Sequence, residues 1–524
     1  MTAPKSSDSS LSPAALGEEP LPVWLLRVLG FFSGAAVMIV EFAGNRLLSP
    51  GFGNSLYTWT GLIGVILIAL SCGDYLGGWL VDRRPRFSLL PIMFGLGGLL
   101  TAAVPGLLKF WPSFDKLDLV TGPIYVSLGL FFLPGLVLAT ITPVSIRLLS
   151  RAGSDSHIGQ AAGTVGMAAA LGSFAGTLLT TYVLIPRFGV RQIFVVLGVT
   201  LGALALALAL LNSRTRKKPV KFVALALAAF GTAAWSHAEP APDRGVIFSK
   251  DTFYHRISVV EDGTGPRARR YLKLDSTMEG AQVVGTGELV FPYQQYWRLA
   301  EVLCPNLDRA AFLGAGAFGM PEQLSLRFPK SKVTVVEIDP EVIEVGKKYF
   351  RLADFIHVEA IAGDGRRYLR TSGDTFDFVF GDAYNGVQFV PPHLVTREFF
   401  SEVRGKLKPD GVFVMNLIGS AQGKGSDLFW HVMNSLRAAF PHTLLFGTNS
   451  YNPAEVQNLI IVASSEPIEP RLDAWLKAHS ASDRRLAAML QSRIDTVVAP
   501  DPNVLFTDDH NPVELTVARQ IRAR

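Results

Sequence analysis

Apolar runs long enough to cross a membrane fill the first 240 residues, and they limit what this chain can fold into. A helix needs about 20 apolar residues to cross the hydrocarbon core of a bilayer. Such runs lie near 23–43, 57–76, 88–108, 121–142, 160–184 and 191–212, with a shorter one near 221–237. They predict a polytopic α-helical membrane domain of about seven helices over residues 21–240, with the lipid bilayer as its partner. Small residues recur between Gly163 and Gly176, where they would let helices approach closely. Residues 1–20 are polar and rich in Ser and Pro, and are expected to be a disordered N-terminus.

Basic residues set the expected orientation. Arg83, Arg84 and Arg86 follow the second run, Arg147 and Arg151 the fourth, and Arg214, Arg216, Lys217, Lys218 and Lys221 the sixth. The positive-inside rule places these loops, and with them the N-terminus, in the cytoplasm. Seven full crossings would then put the rest of the chain outside. The seventh run is the shortest, and read as interfacial or re-entrant it keeps the C-terminal half on the cytoplasmic face of a multi-pass (inner) membrane protein.

Composition supports a hybrid chain. Of 524 residues, 49% are hydrophobic and 18% charged, too apolar for a wholly soluble protein and too charged for a wholly embedded one. The formal net charge of +5 comes with basic residues gathered in loops between apolar runs, so no nucleic-acid partner is expected. The two cysteines, Cys72 and Cys304, lie far apart in sequence and provide neither a disulfide framework nor a Cys-based zinc site; no metal is expected.

From about residue 245 charge rises and the apolar runs shorten to strand length. Phe253–Asp262 alternates as a strand does, and Arg270–Ser276 reads as its partner across a Gly-containing turn. A helical stretch follows over Tyr293–Leu303. Residues 241–300 are thus a small β-rich subdomain. Then Arg309–Leu324, RAAFLGAGAFGMPEQL, is a strand running into a Gly-rich turn and a helix, and Lys332–Pro340, KVTVVEIDP, is a second strand ending in acids. Gly314 and Gly316 let the backbone approach a ligand, and Glu337 stands at the end of the second strand, where an acid can bind ribose hydroxyls. Further strands deliver Asp364-Gly365 and Asp382 at their carboxyl ends, and Gly411–Gly419 and Leu459–Ser465 extend the sheet. Residues 301–524 are therefore expected to be an α/β Rossmann-like domain. No phosphate-binding Lys follows the glycine turn, and the order of parts suits an S-adenosyl ligand better than NAD.

Residues 245–465 resemble the spermidine synthases, the polyamine aminopropyltransferases, and look closest to the branch fused to membrane helices. The resemblance implies a small β-sheet domain ahead of a methyltransferase-type Rossmann-like fold. It also implies decarboxylated S-adenosylmethionine as co-substrate, no prosthetic group, putrescine or a related amine as acceptor, and room for a homo-oligomer. Carried over, Glu337 holds the donor ribose, Asp364 and Gly365 the adenine end, and His255 falls where the family has a donor-contacting Gln. Pro391 lines the adenosine pocket, and Asp382 is the first acid of a D-x-x-D motif and the catalytic base. Tyr293 and Gln294 belong to the substrate-binding Tyr-Gln/His-Glu element. Three departures bear on the acceptor: the second D-x-x-D acid is Asn385, the glycine loop carries Ala317 in place of an Asp, and the Glu after Tyr293-Gln294 is Gln295. The other readings are an S-adenosylmethionine-dependent methyl- or alkyltransferase acting on an amine or lipid, and a non-catalytic polyamine transporter or sensor.

Overall fold

The structure is a computed structural model and describes residues 22–110, 117–152, 158–211, 220–237, 244–384, 389–495, 501 and 503–523. The N-terminal segment 1–20, Asn385 and the basic residues Arg214, Arg216, Lys217 and Lys218 lie outside the described residues. Two compact units are present: Met1–Phe52 with Leu56–Pro242, and Asp243–Arg524 with Gly53–Ser55.

The first unit is helical. Six helices are long and apolar enough to cross a membrane: α1 (Val23–Phe52), α2 (Leu56–Arg83), α3 (Leu89–Leu108), α4 (Gly122–Arg151), α5 (Ile158–Arg187) and α6 (Val190–Leu211). A seventh, α7 (Val220–His237), has a shorter apolar stretch, Val223–Ser236. Glycines set the packing. A Cβ on Gly172 of α5 would lie 1.9 Å from the Phe31 carbonyl oxygen of α1, and one on Gly34 would lie 2.1 Å from that of Ala169. Gly73 brings α2 against Leu136 of α4 in the same way, and Gly98 brings α3 against Gly198 of α6. Between apolar helices in lipid, such backbone approach supplies the van der Waals contact that hydrophobic burial cannot. Gly172→Leu should therefore lower the melting temperature of the detergent-purified protein, at a cost of about 2 kcal/mol or more. Gly166→Leu, whose Cβ would meet open space, should melt like the parent.

Helix α7 packs along α3, and the contacts advance in the same direction on both. Leu225 covers Gly95, the Ser236 hydroxyl donates to the Ala102 carbonyl at 2.6 Å, and Trp235 covers Gly106. Trp235 also stacks on Phe110 with ring centroids 5.9 Å apart. The two helices are parallel and nearly co-extensive, so α7 ends beside the carboxyl end of α3.

The second unit opens with a four-stranded antiparallel sheet, β1 (Val246–Asp251), β2 (Arg256–Asp262), β3 (Arg269–Leu274) and β4 (Thr277–Val283). The expected strand at 253–262 begins at Arg256, and the expected helix at 293–303 is a 3₁₀ segment, Pro292–Arg298, followed by one α-helical turn, Leu299–Leu303. Next come β5 (Arg309–Leu313), α8 (Gly319–Arg327), β6 (Lys332–Glu337), α9 (Pro340–Tyr349), β7 (Val358–Ala362), α10 (Gly365–Thr371) and β8 (Phe376–Gly381). They are followed by α11 (Arg397–Lys406), β9 (Leu407–Gly419), α12 (Asp427–Arg437), β10 (His442–Gly447) and β11 (Gln457–Ser464). The sheet runs in the order β10-β11-β9-β8-β5-β6-β7. Strands β5 to β9 are parallel, β11 is antiparallel to β9, and β10 is antiparallel to β11.

This is the expected Rossmann-like α/β sheet, with an antiparallel edge. Central strands covered on both faces read as apolar runs, as Ala310–Leu313 of β5 and Phe378–Phe380 of β8 do. Phe312 and Phe380 from these neighbours stack at 5.7 Å in the core. Helix α9 begins where Asp339 accepts a hydrogen bond from the Glu341 amide at 3.0 Å and Pro340 fills the first turn.

Candidate active site

The chain leaves β5 for β6 and β7 on one side, then returns to place β8 on the other side of β5. Ligands of open α/β sheets bind at this reversal, beyond the carboxyl ends of the strands. Gly314 and Gly316 follow β5 with φ of 98° and 48°. A Cβ on Gly314 would lie 2.2 Å from the Asp382 carbonyl oxygen, so only glycine lets the turn pass beside the end of β8.

Glu337 ends β6 next to this turn and is buried. One carboxylate oxygen accepts from the Ala315 amide at 3.1 Å, the other from the Asp339 amide at 3.0 Å. Burial raises its pKa, against the pull of these two N–H groups and of His255. Each oxygen keeps a lone pair, the geometry needed to accept from two vicinal hydroxyls.

His255 is buried and pairs through Nδ1 with Asp275 Oδ2 at 2.9 Å. Asp275 sits in the left-handed region, φ 54°, and its other oxygen accepts from the Arg256 amide at 3.0 Å. The imidazole lies close enough to Glu337, Asp339 and Glu279 to favour their charged forms.

Asp364 caps α10. Its Oδ1 accepts from the Arg367 amide at 2.8 Å, and Oδ2 meets His393 Nε2 at 2.7 Å. The His393 hydrogen bond is the main reason its pKa is lowered. Gly365 opens the helix, and buried Pro391 lies two residues before His393.

Asp382 follows β8 and accepts from Asn416 Nδ2 at 2.8 Å. Burial, reinforced by the negative charge of Glu279, pushes its pKa up to about 7, while hydrogen bonds from Asn416 and Tyr293 oppose the rise. Asn416 is held in turn by Asn458, whose Nδ2 donates to it at 3.0 Å, and its carbonyl accepts from the Tyr384 hydroxyl at 3.0 Å. The Tyr293 hydroxyl donates to the Glu279 carbonyl at 3.0 Å and stands close enough to Asp382 to act on its ionisation.

The structure thus brings Gly314, Gly316, Glu337, His255, Tyr293 and Asp382 together. Gln294 is turned elsewhere: its Oε1 accepts from the Phe291 amide at 3.2 Å and closes the 3₁₀ turn. Asp364 and Gly365 follow β7, and the Asp364–His393 hydrogen bond draws the segment after Pro391 toward them. Glu279, Asn416, Tyr384 and His393 escaped sequence reading. Tyr384 is two residues after Asp382 and was within reach; Glu279 and Asn416 are ordinary strand residues until the sheets assemble. Among the described residues, no Lys or Arg forms an ion pair with Glu279, Glu337 or Asp382. The site suits a ligand that is a nucleoside at one end and a cation at the other.

Residues 299–443 match the family described as the Spermine/spermidine synthase domain. The chain is similar to the polyamine aminopropyltransferase of Vibrio vulnificus, 31% identical over 236 residues that cover 43% of this chain and 76% of that one. It is also similar to polyamine aminopropyltransferase 2 of Aquifex aeolicus, 22% identical over 406 residues covering 74% and 78% of the two chains. Among solved structures, a probable spermidine synthase from Corynebacterium glutamicum covers 50% of this chain and 99% of its own, with 20% identity and a TM-score of 0.39.

Proposed function

Because the chain belongs to the polyamine aminopropyltransferase family and is a transferase of the spermidine synthase type, we propose that it moves an aminopropyl group from decarboxylated S-adenosylmethionine to putrescine or a related amine. The observation that carries this reading is Asp382, a carboxylate at the sheet reversal oriented by Asn416, whose pKa burial pushes up to about 7.

The chemistry requires such a group. An acceptor ammonium has no lone pair, so one proton must leave before nitrogen can attack. Asp382 takes that proton and holds the amine by the same hydrogen bond. The nitrogen then forms a bond to the aminopropyl carbon attached to the sulfonium. The carbon–sulfur bond breaks, its electron pair returns to sulfur, and neutral methylthioadenosine leaves. Glu337 fixes the ribose and Asp364, Gly365 and Pro391 receive the adenine, so the reacting carbon is carried to Asp382 and much of the barrier is met by alignment.

Purified full-length protein incubated with decarboxylated or ordinary S-adenosylmethionine and a panel of amines tests this. Methylthioadenosine should form with the decarboxylated donor. Release of S-adenosylhomocysteine from the ordinary donor, with no methylthioadenosine from the other, would replace aminopropyl transfer by methyl transfer.

We also propose that the first unit embeds the enzyme in the bilayer, with the basic loops cytoplasmic. The expected cytoplasmic C-terminal half required α7 not to cross. Its parallel, co-extensive packing on α3 supports seven crossings instead, since α3 and α7 then leave the same face. A reporter fused after Arg524 should be active on the face opposite the cytoplasm; cytoplasmic activity would mean that α7 does not cross.

A further inference from the structure

A segment near the carboxyl terminus reaches the Asp364 corner and has no part in the mechanism above. Residues 505–511 read LFTDDHN. Their backbone runs beside the start of α11: the Arg397 amide donates to the Phe506 carbonyl at 2.9 Å, and the Asp508 amide to Glu398 Oε2 at 3.0 Å. Asp508 then joins two elements. Its carboxylate accepts from Arg366 Nη1 and Nη2, both at 2.7 Å, and from the Thr396 hydroxyl at 2.8 Å. Arg366 is buried, and Glu402 holds its other edge at 2.7 and 2.9 Å. Arg366 follows Asp364 and Gly365 at the start of α10, while Thr396 caps α11. His393 lies just ahead of Thr396, and its backbone is fixed on both sides. Arg366 Nη1 donates to the His393 carbonyl at 3.1 Å, and Asn511 Nδ2 donates to the Pro392 carbonyl at 2.6 Å.

These bonds converge on one side chain. His393 Nε2 donates to Asp364 Oδ2 at 2.7 Å while the Arg367 amide holds Oδ1 at 2.8 Å. The carboxylate is thus fixed at both oxygens, and each oxygen can still accept a further hydrogen bond. We infer that the segment Phe506–Asn511 is a brace for base recognition: acting through His393, it aims the Asp364 carboxylate at the exocyclic amine of the donor's adenine. This inference rests on the reading that places adenine at Asp364. An amine N–H donates well only when the acceptor lies close to the line of the bond, and the interaction weakens steeply as that angle closes. A carboxylate free to turn gives up rotamer freedom when the base binds; one already held does not. His393 and Asn511 are therefore positioning residues, and Asp364 is the group that meets the base.

The test pairs two ligands in calorimetry on the full-length protein: methylthioadenosine and its purine analogue, which carries hydrogen in place of the exocyclic amine. The parent should prefer methylthioadenosine. His393→Ala should weaken methylthioadenosine by about tenfold and leave the amine-free analogue nearly unchanged, so that the preference narrows by the same factor. His393→Gln, whose amide can still donate to Asp364, should recover part of the preference. Asn511→Ala should narrow it in the same direction by a smaller factor, about threefold, because only a backbone tether is lost. Unaltered affinity for the amine-free analogue also certifies that each variant is folded. Equal weakening of both ligands is what a merely structural role would produce, and it would overturn the inference. A parent that binds both ligands equally would overturn the placement of adenine at Asp364 and the brace with it. A preference present in the parent and untouched in all three variants would overturn the brace alone.

Discussion

Asp382→Asn should lower turnover by about 10²–10⁴-fold while methylthioadenosine binds as tightly as to the parent, because the change keeps the shape of the side chain and removes its ability to take a proton. The parent's kcat/KM should rise with pH through about 7, where Asp382 ionises. Full turnover in the Asn variant would remove Asp382 as the base.

The same residue couples activity to stability. Its native pKa of about 7 lies above its ordinary 3.8, so folding favours the protonated form. The stabilisation from the neutral carboxyl is complete below about pH 4 and is lost as pH rises to about 7. At pH 8 the native state holds a half-buried charge, which Asn does not carry. Asp382→Asn should therefore melt higher than the parent at pH 8, by an amount on the order of a few kcal/mol, and nearly level with it at pH 4. Equal melting temperatures at pH 8 would mean that the carboxylate is better solvated than its surroundings imply.

Glu337→Ala should weaken methylthioadenosine binding by about 100-fold, since charge-assisted hydrogen bonds to the ribose are worth about 1.5–3 kcal/mol each. Part of the loss is indirect. The Ala315 and Asp339 amides lose their acceptor, so the glycine turn loses its anchor. Glu337→Gln retains one acceptor oxygen and should fall between the two. Calorimetry reads both effects, and unchanged affinity in the Ala variant would move the ribose away from β6.

Much of this was legible in the sequence for physical reasons that differ by element. The parallel strands β5, β6 and β8 show themselves because strands buried on both faces are mostly apolar, and their ligand-facing groups follow at once as glycine or acid. Strand β4 does not show itself: Thr277–Val283 contains a Gly and a Glu, and its buried residues, Gly280, Ala281 and Gln282, run together and do not alternate. Nothing in the sequence therefore singled out Glu279, and the three departures from the family pattern looked like missing negative charge. Asp364 and Gln294 illustrate the opposite case. Their positions were identified, but Asp364 is also a helix cap and Gln294 closes its own turn, roles that depend on backbone direction and not on residue type. The seventh apolar run was read as interfacial or re-entrant because it is the shortest and because the C-terminal half was placed in the cytoplasm; the groove along α3 at Gly95 and Gly106, filled by Leu225 and Trp235, exists only once the helices assemble.

That groove has a metabolic consequence. If α7 crosses as proposed, the transferase unit would stand across the bilayer from the cytosol, where adenosyl donors are made. Under that proposal the donor would have to be carried across the bilayer, and the enzyme should show latency. Right-side-out vesicles given external donor and amine should turn over at the rate of detergent-solubilised protein. Inverted vesicles should stay silent until they are permeabilised. Under the same proposal, the product would be released on the face opposite the cytosol.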